Sequence, residues 1–377
     1  MLYLDTAATT PVRREALEAA WPYLTGTFGN PSSHHAVGEA AAAGLEDARR
    51  RAAAVLGARR TDIVFTAGGT EAANLAIKGL ALATPRGKHL VTAATEHEAV
   101  LETVDFLRRA HGFEVSFAEV AADGTITPEA LRAVLRKDTT LVSLALANNE
   151  IGTITDVRTL VEIAHEVGAV FHTDAVQAAG WLDLRGLGVD ALTLSGHKLG
   201  APKGIGLAMI RGRLPVEPLV HGGGQENGRR SGTENVAFAV ALATALELAE
   251  TEREQKAARL APLRDQFLER VLTAREGVLR TGADPRHAGA RLPGHASFCV
   301  SGRSGESILL DLAERGVIAS SGSACAAGSD EPSHVLTALG IPREVAQTAV
   351  RVTLPADVTA EQLAAAAGAL EEVLARA

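Results

Sequence analysis

The stretch "LTLSGHKLGAPKGIG", residues 192–206, ends an apolar, strand-like run in Ser195, Gly196, His197 and Lys198. Most lysines after a strand are plain surface residues. Here glycines and a proline crowd the lysine on its C-terminal side, and Ser195 and His197 flank it. Ligands of open α/β sheets bind beyond the carboxyl ends of the strands, and a desolvated amine at such an edge can form a Schiff base. A second candidate for chemistry is Cys325, which closes "SSGSAC" in a run of Ser, Gly and Ala with no apolar period around it. Such a run reads as a loop, and a thiol there is either incidental or reactive. The other cysteine, Cys299 in "ASFCVSG", reads as a small buried hydrophobe in a strand. Two cysteines make no disulfide framework and no zinc pattern, so no resident metal is expected.

A Schiff-base lysine suggests pyridoxal 5'-phosphate, and that group makes further demands. Its phosphate needs N–H groups and hydroxyls at a helix N-terminus. Its ring nitrogen needs a carboxylate, so that the ring acts as an electron sink. Its ring needs a stacking partner. "FTAGGTEAAN" places Gly68, Gly69 and Thr70 between a strand and a helix, "FHTDAVQ" ends a strand with Asp174 followed by Gln177, and "TEHEAV" puts His97 after another strand. "ANNEIG" adds Asn149 at yet another. Each alone has an ordinary reading as a turn or cap. Four consecutive strand ends offering such groups are harder to attribute to turns.

These groups need a sheet to line them up. From "DIVFT" to "GIGLAMIR" the chain alternates strand-like and helix-like segments, and the strands are apolar almost throughout. That pattern predicts a mostly parallel sheet covered on both faces, an α/β domain. Two long helical stretches follow over about 234–275, then shorter α and β segments, which read as a smaller α+β lobe. The expected division is 14–250 for a large domain, and 1–13 with 251–377 for a small one that carries Cys325 and Arg351. Thr127 with Pro128, and Thr359 with Gln362, are helix-start signals. A net charge of −8 without a long basic run argues against a nucleic-acid surface. No run of about 18 apolar residues suggests a membrane span, and no signal peptide is seen. A reducing cytoplasm is the expected setting.

Taken together, "YLDTAATTPV", "GTFGNPSSHH", "FTAGGTEAANLAIKG", "TEHEAV", "ANNEIGT", "FHTDAVQAAG", "SGHKLGAPKGIG", "HGGGQENGRRSGT", "SSGSACAAGSDEPSHVL" and "AVRVTL" resemble the cysteine desulfurases. These are pyridoxal-phosphate enzymes of the class V aminotransferase-like, fold type I superfamily, and "SSGSAC" is similar to the first of their two groups. The resemblance implies the fold type I transferase fold and a set of roles. Lys198 would carry the cofactor on its amine and then move a proton. His97 would stack on the ring and, as a catalytic residue, assist proton transfer; Asp174 would pair with the ring nitrogen, and Gln177 would bond the ring oxygen. Gly69, Thr70, Ser195 and His197 would hold the phosphate, and Thr233 would reach the phosphate of a neighbouring subunit, which implies a homodimer. Arg351 and Asn149 would grip the substrate carboxylate, a task suited to arginine's planar fork. The thiolate of Cys325 would take sulfur from L-cysteine, leaving L-alanine and a persulfide. That sulfur would pass to acceptor proteins, such as an iron–sulfur scaffold or a tRNA-thiolation enzyme, and Cys325 could transiently ligate a cluster during transfer. Gly69 stands where many relatives have Ala, and Ala326–Ala327 replaces a frequent hydroxyl-bearing pair.

Two other readings stay open at this level. A transaminase or selenocysteine lyase of the same fold would use Lys198, Asp174 and Arg351 equally well, although a transaminase has no need of Cys325. A non-enzymatic scaffold would have no reason to keep the lysine, the acid and the thiol together.

Overall fold

A computed structural model describes residues 1–83, 86–322 and 331–375. Among these residues, seven strands form the central sheet: β2 (Ile63–Thr66), β3 (His89–Ala93), β4 (Glu114–Ala118), β5 (Thr139–Ser143), β6 (Val170–Asp174), β7 (Ala191–Ser195) and β8 (Gly206–Ile210). Their spatial order is β2-β8-β7-β6-β5-β3-β4, and only β8 runs against the rest. The strands β2, β3, β5, β7 and β8 are buried along their whole length. Their near-continuous apolar runs follow from helices covering both faces.

Those helices include α1 (Arg14–Thr25), α2 (Ala36–Leu56), α3 (Gly69–Ala83), α4 (Glu98–His111), α5 (Pro128–Val134) and α6 (Val157–Glu166). Thr127 Oγ1 caps α5 by accepting from the Ala130 amide, with Pro128 in its first turn. Pro128 suits that place, because its missing N–H would have had no partner there.

The chain then runs through α7 (Val236–Ala274), β9 (Val278–Arg280), β10 (His295–Val300), α8 (Gly305–Glu314) and β11 (Val317–Ile318). It ends with α9 (His334–Ala338), α10 (Arg343–Ala346), β12 (Ala349–Thr353) and α11 (Ala360–Ala375). β12, β10 and β9 make a second, antiparallel sheet. The N-terminal strand β1 (Leu2–Tyr3) pairs in parallel with β11, and Asp5 bridges to Thr353. Thr359 and Gln362 form the reciprocal capping bonds expected for α11.

Two stretches of helix were expected over 234–275; a single helix of 39 residues spans Val236–Ala274, with Pro262 inside it. The polar run "ETEREQKAA" that suggests a break is helix-forming and solvent-facing. The first half of α7 packs Val240, Leu242 and Leu246 into the core under the central sheet. Its second half packs Leu260, Phe267 and Val271 into another core, with Leu4, Phe298, Val350 and Leu370. Trp181 touches both cores. No described helix is long and apolar enough to cross a membrane.

Candidate active site

The carboxyl edge of the central sheet gathers the polar groups that the sequence singles out. β7 ends at Ser195, and a short 3-10 turn, Gly196–Lys198, follows at once. That turn sets Lys198 against the N-terminal segment: Lys198 Nζ donates to the carbonyl oxygens of Ala7 and Ala8, at 2.7 Å for Ala8. Gln177 Nε2 donates to the same Ala7 oxygen at 3.1 Å, so Gln177 and Lys198 share one acceptor. The segment is laced further to the turn by Thr10 Oγ1, which donates to the His197 carbonyl at 2.8 Å, and by Thr9 Oγ1 at 3.0 Å from His197 Nδ1. Burial, with Lys198 and Lys203 nearby, pushes the His197 pKa down to about 4. His197 is therefore a neutral ring at physiological pH.

Asp174 is the last residue of β6, and its Oδ1 accepts from the Val176 amide at 2.8 Å. Burial raises its pKa, while that amide and the charges of His97 and Lys198 act the other way. His97 is exposed and caps α4, with Nδ1 accepting from the Ala99 amide at 3.0 Å. Nδ1 being an acceptor, the neutral ring carries its proton on Nε2. Gly69 opens α3, and a side chain there would come within 3.1 Å of Ser195 Cβ and 3.3 Å of Val176 Cγ2. The first turn of α3 thus lies directly against the ends of β6 and β7, with exposed Thr70 next in line.

Arg351 comes from β12, across the edge, and its side chain is 2% exposed. Its guanidinium donates to the Asn149 backbone oxygen at 3.1 Å, to the Gly322 carbonyl, and to Asp5 Oδ1 at 2.7 Å. Arg351 and Asn149 meet, then, through the main chain of Asn149. Thr233 is exposed; its loop is held by Arg230, which pairs with Glu71 of α3 at 2.8 Å, and by buried Glu226. Cys325 lies outside the described residues.

Three acids near these groups were not singled out from the sequence. Asp5 pairs with Arg351. Glu150, buried beside Gly322, accepts from Ser333 Oγ. Glu96 is buried, accepts from the Ala145 amide at 2.8 Å, and leaves Oε2 without a partner among the described residues; burial pushes its pKa up to about 8. The only signal for the last two was adjacency, Glu96 to His97 and Glu150 to Asn149.

The donor set fits pyridoxal phosphate. The N-terminus of a 15-residue helix, with Ser195 packed against its first residue, offers N–H and O–H donors to a phosphate. Asp174 is a half-buried acid whose charge is disfavoured by desolvation, and a cationic ring N–H beside it would favour the carboxylate.

The family description "Aminotransferase class-V" matches residues 2–365. The chain belongs to the class-V aminotransferase family. Among its class-V relatives is the cysteine desulfurase IscS of Dictyoglomus turgidum, 45% identical over 99% of this chain and 94% of that one. An IscS-like cysteine desulfurase of Mycobacterium tuberculosis is 42% identical over 94% of this chain and 91% of its own length. The solved structure of a NifS-like protein superimposes with a TM-score of 0.91 at 33% identity, covering 100% of both chains. A cysteine desulfurase from Thermococcus onnurineus gives 0.87 at 26% identity, over 100% of this chain and 95% of that one. Class-V enzymes of this kind depend on pyridoxal phosphate.

Proposed function

We infer that this class-V enzyme is a cysteine desulfurase: it converts L-cysteine to L-alanine and leaves the sulfur as a persulfide on Cys325. The observation that carries the reading is the convergence of Lys198, Gln177, Asp174, Ser195 and the start of α3 on one edge of the sheet, with Arg351 tied through Asp5 to the N-terminal segment that Lys198 and Gln177 also bond. Desulfurases at 40–45% identity over nearly the whole chain support it.

Pyridoxal 5'-phosphate, when bound, supplies the electron sink that weakens the bonds at the substrate's α-carbon. Lys198 is the residue to hold it, and the lysine amine then carries the proton between substrate atoms. Asp174 would keep the ring nitrogen protonated, Gln177 would bond the ring oxygen, and His97 would cover the ring. Gly69, Thr70, Ser195 and neutral His197 would receive the phosphate, joined by Thr233 of a second subunit. Arg351 and Asn149 would hold the substrate carboxylate. Cys325 acts as the thiolate, since only that form attacks sulfur. Its S–S bond forms as the substrate's C–S bond breaks, and the α- and β-carbons receive the protons that make alanine.

A homodimer is supported by an apolar stripe on α1: Leu17, Trp21 and Leu24 are about half exposed or more. Phe28, just beyond, is 70% exposed. Such a patch is larger than single scattered apolar residues need explaining. A division into lobes near residue 250 is supported by the packing of α7, whose residues up to Ala249 join one core and those from Leu260 another. Sulfur acceptors for iron–sulfur assembly or tRNA thiolation, and a cytoplasmic setting, belong to the same proposal.

Mass spectrometry of the holoenzyme after L-cysteine treatment tests the reading. One added sulfur on the peptide containing Cys325 is expected. Cys325→Ser should keep the visible absorbance of the loaded enzyme and lose alanine formation. Alanine formation at the parent rate by that variant would refute the assignment of the thiol.

A further inference from the structure

Arg351 poses a problem that the desulfurase reading does not solve. Its side chain is 2% exposed, and a buried guanidinium without an anion is strongly unfavourable. A substrate carboxylate answers this only while substrate is present. In this structure a carboxylate of the chain itself occupies the arginine: Asp5 Oδ1 lies 2.7 Å from one terminal nitrogen, and the Asp5 side chain is 16% exposed. The other terminal nitrogen donates to two backbone oxygens, those of Asn149 and Gly322, and Nε is buried without a partner among the described residues.

Asp5 is not there by the chance swing of a long side chain. Its backbone bridges to Thr353, two residues along from Arg351. Tyr3 Oη donates to the Asp5 carbonyl at 2.8 Å and to the Thr9 carbonyl at 3.0 Å, and β1 is fixed to β11 just upstream. Another acid in range among the described residues, Glu150, is engaged by Ser333, and its burial disfavours the charged form. Asp5 is the carboxylate matched to Arg351.

We propose that Asp5 is a built-in stand-in for the substrate carboxylate. It neutralises Arg351 in the empty site and yields the guanidinium to the incoming amino acid. The exchange replaces one carboxylate by another, so the buried cation is never left unpaired. Asp5 is therefore a positioning and specificity residue acting through Arg351: a ligand that lacks a carboxylate cannot displace it. The proposal rests on Arg351 being the carboxylate grip.

The test titrates holoenzyme spectroscopically with L-alanine and with ethylamine, the same amine without the carboxylate. Asp5→Asn removes the competitor's charge, and L-alanine should bind about tenfold tighter or more, the size expected for losing one rival hydrogen bond to a charged group. Ethylamine affinity should not change. Asp5→Glu should return L-alanine affinity toward the parent value. Should Asp5→Asn fail to fold, Asp5→Ser is read in the same way. Arg351→Gln should weaken L-alanine at least tenfold and leave ethylamine alone. If it weakens neither, the grip assignment falls and the proposal with it. If Arg351→Gln behaves as stated and neither Asp5 variant tightens L-alanine, only the stand-in role is overturned.

Discussion

Replacing Glu226 by leucine should destabilise the protein by about 3 kcal/mol, and replacing Arg49 by methionine as well should recover much of that loss. Glu226 is 2% exposed and Arg49 4%. The carboxylate accepts from both terminal nitrogens of Arg49, at 2.7 and 2.9 Å, and from the Phe65 amide at 3.0 Å. Removing it leaves a buried cation, and breaking such a pair costs about 3–5 kcal/mol. The lower end applies because Arg49 keeps the Ile63 carbonyl at 2.8 Å and Glu46 at 2.9 Å, although Glu46 is half exposed. An apolar pair of similar volume removes the stranded charge altogether. The pair also pins a loop whose backbone sits at φ +50° and +57° at Glu226 and Asn227, where L-residues are strained. Thr233 lies on that loop, so Glu226→Leu should also release cofactor faster. The assay is urea unfolding of holo protein for both single variants and the double, with cofactor release followed by absorbance. Additive losses, the double variant falling by the sum of the singles, would refute the coupling. Stability lost with parent-like cofactor release would refute the link to Thr233.

Glu96 has its pKa raised to about 8 from 4.5, so the folded state holds a proton that the unfolded state has released. Stability should therefore decline as pH rises from about 4.5 to 8, and Glu96→Gln, shaped like the neutral acid, should gain melting temperature over the parent at pH 8 more than at pH 5. An equal effect at both values would count against a buried neutral acid. His172 runs the opposite way: burial lowers its pKa to about 3 from 6.5. The unfolded state binds the extra proton, so its share of stability is full above 6.5 and is lost as pH falls toward 3; His172→Gln should flatten melting temperature against pH between 7 and 5. Cys299 is buried, with its thiol pushed up to about 12. Iodoacetamide on the native protein should leave Cys299 unlabelled until urea unfolds the domain, and labelling at the rate of a free thiol would contradict its burial.

The placement of candidate groups at the sheet edge was legible because each sits at or just past the end of a strand that announces itself by an apolar run. Lys198 after "LTLS", Asp174 after "VFHT" and His97 after "HLVTA" needed only local reading. Gln177 and Lys198 were placed together in this way, and the structure joins them through Ala7. Asp5 escaped notice because its partner is 346 positions away, and nothing local tells an acid facing an arginine from one that starts a turn. Glu96 and Glu150 escaped because neighbours in the same short stretch explained those stretches already. The reversed direction of β8 was not read either, since an apolar run carries no sign of its orientation. α7 was read as two helices because solvent-facing polar residues interrupt its apolar pattern while the backbone goes on unbroken.

That unbroken rod is about 58 Å long at 1.5 Å per residue. A helix of such length, packed by its first half on one core and by its second half on the other, ties the two cores along one backbone, with Pro262 the one place where a helix hydrogen bond is lost. In such a frame the exchange of anions proposed at Arg351 asks only for local movement, one carboxylate leaving a guanidinium that keeps its backbone partners at Asn149 and Gly322.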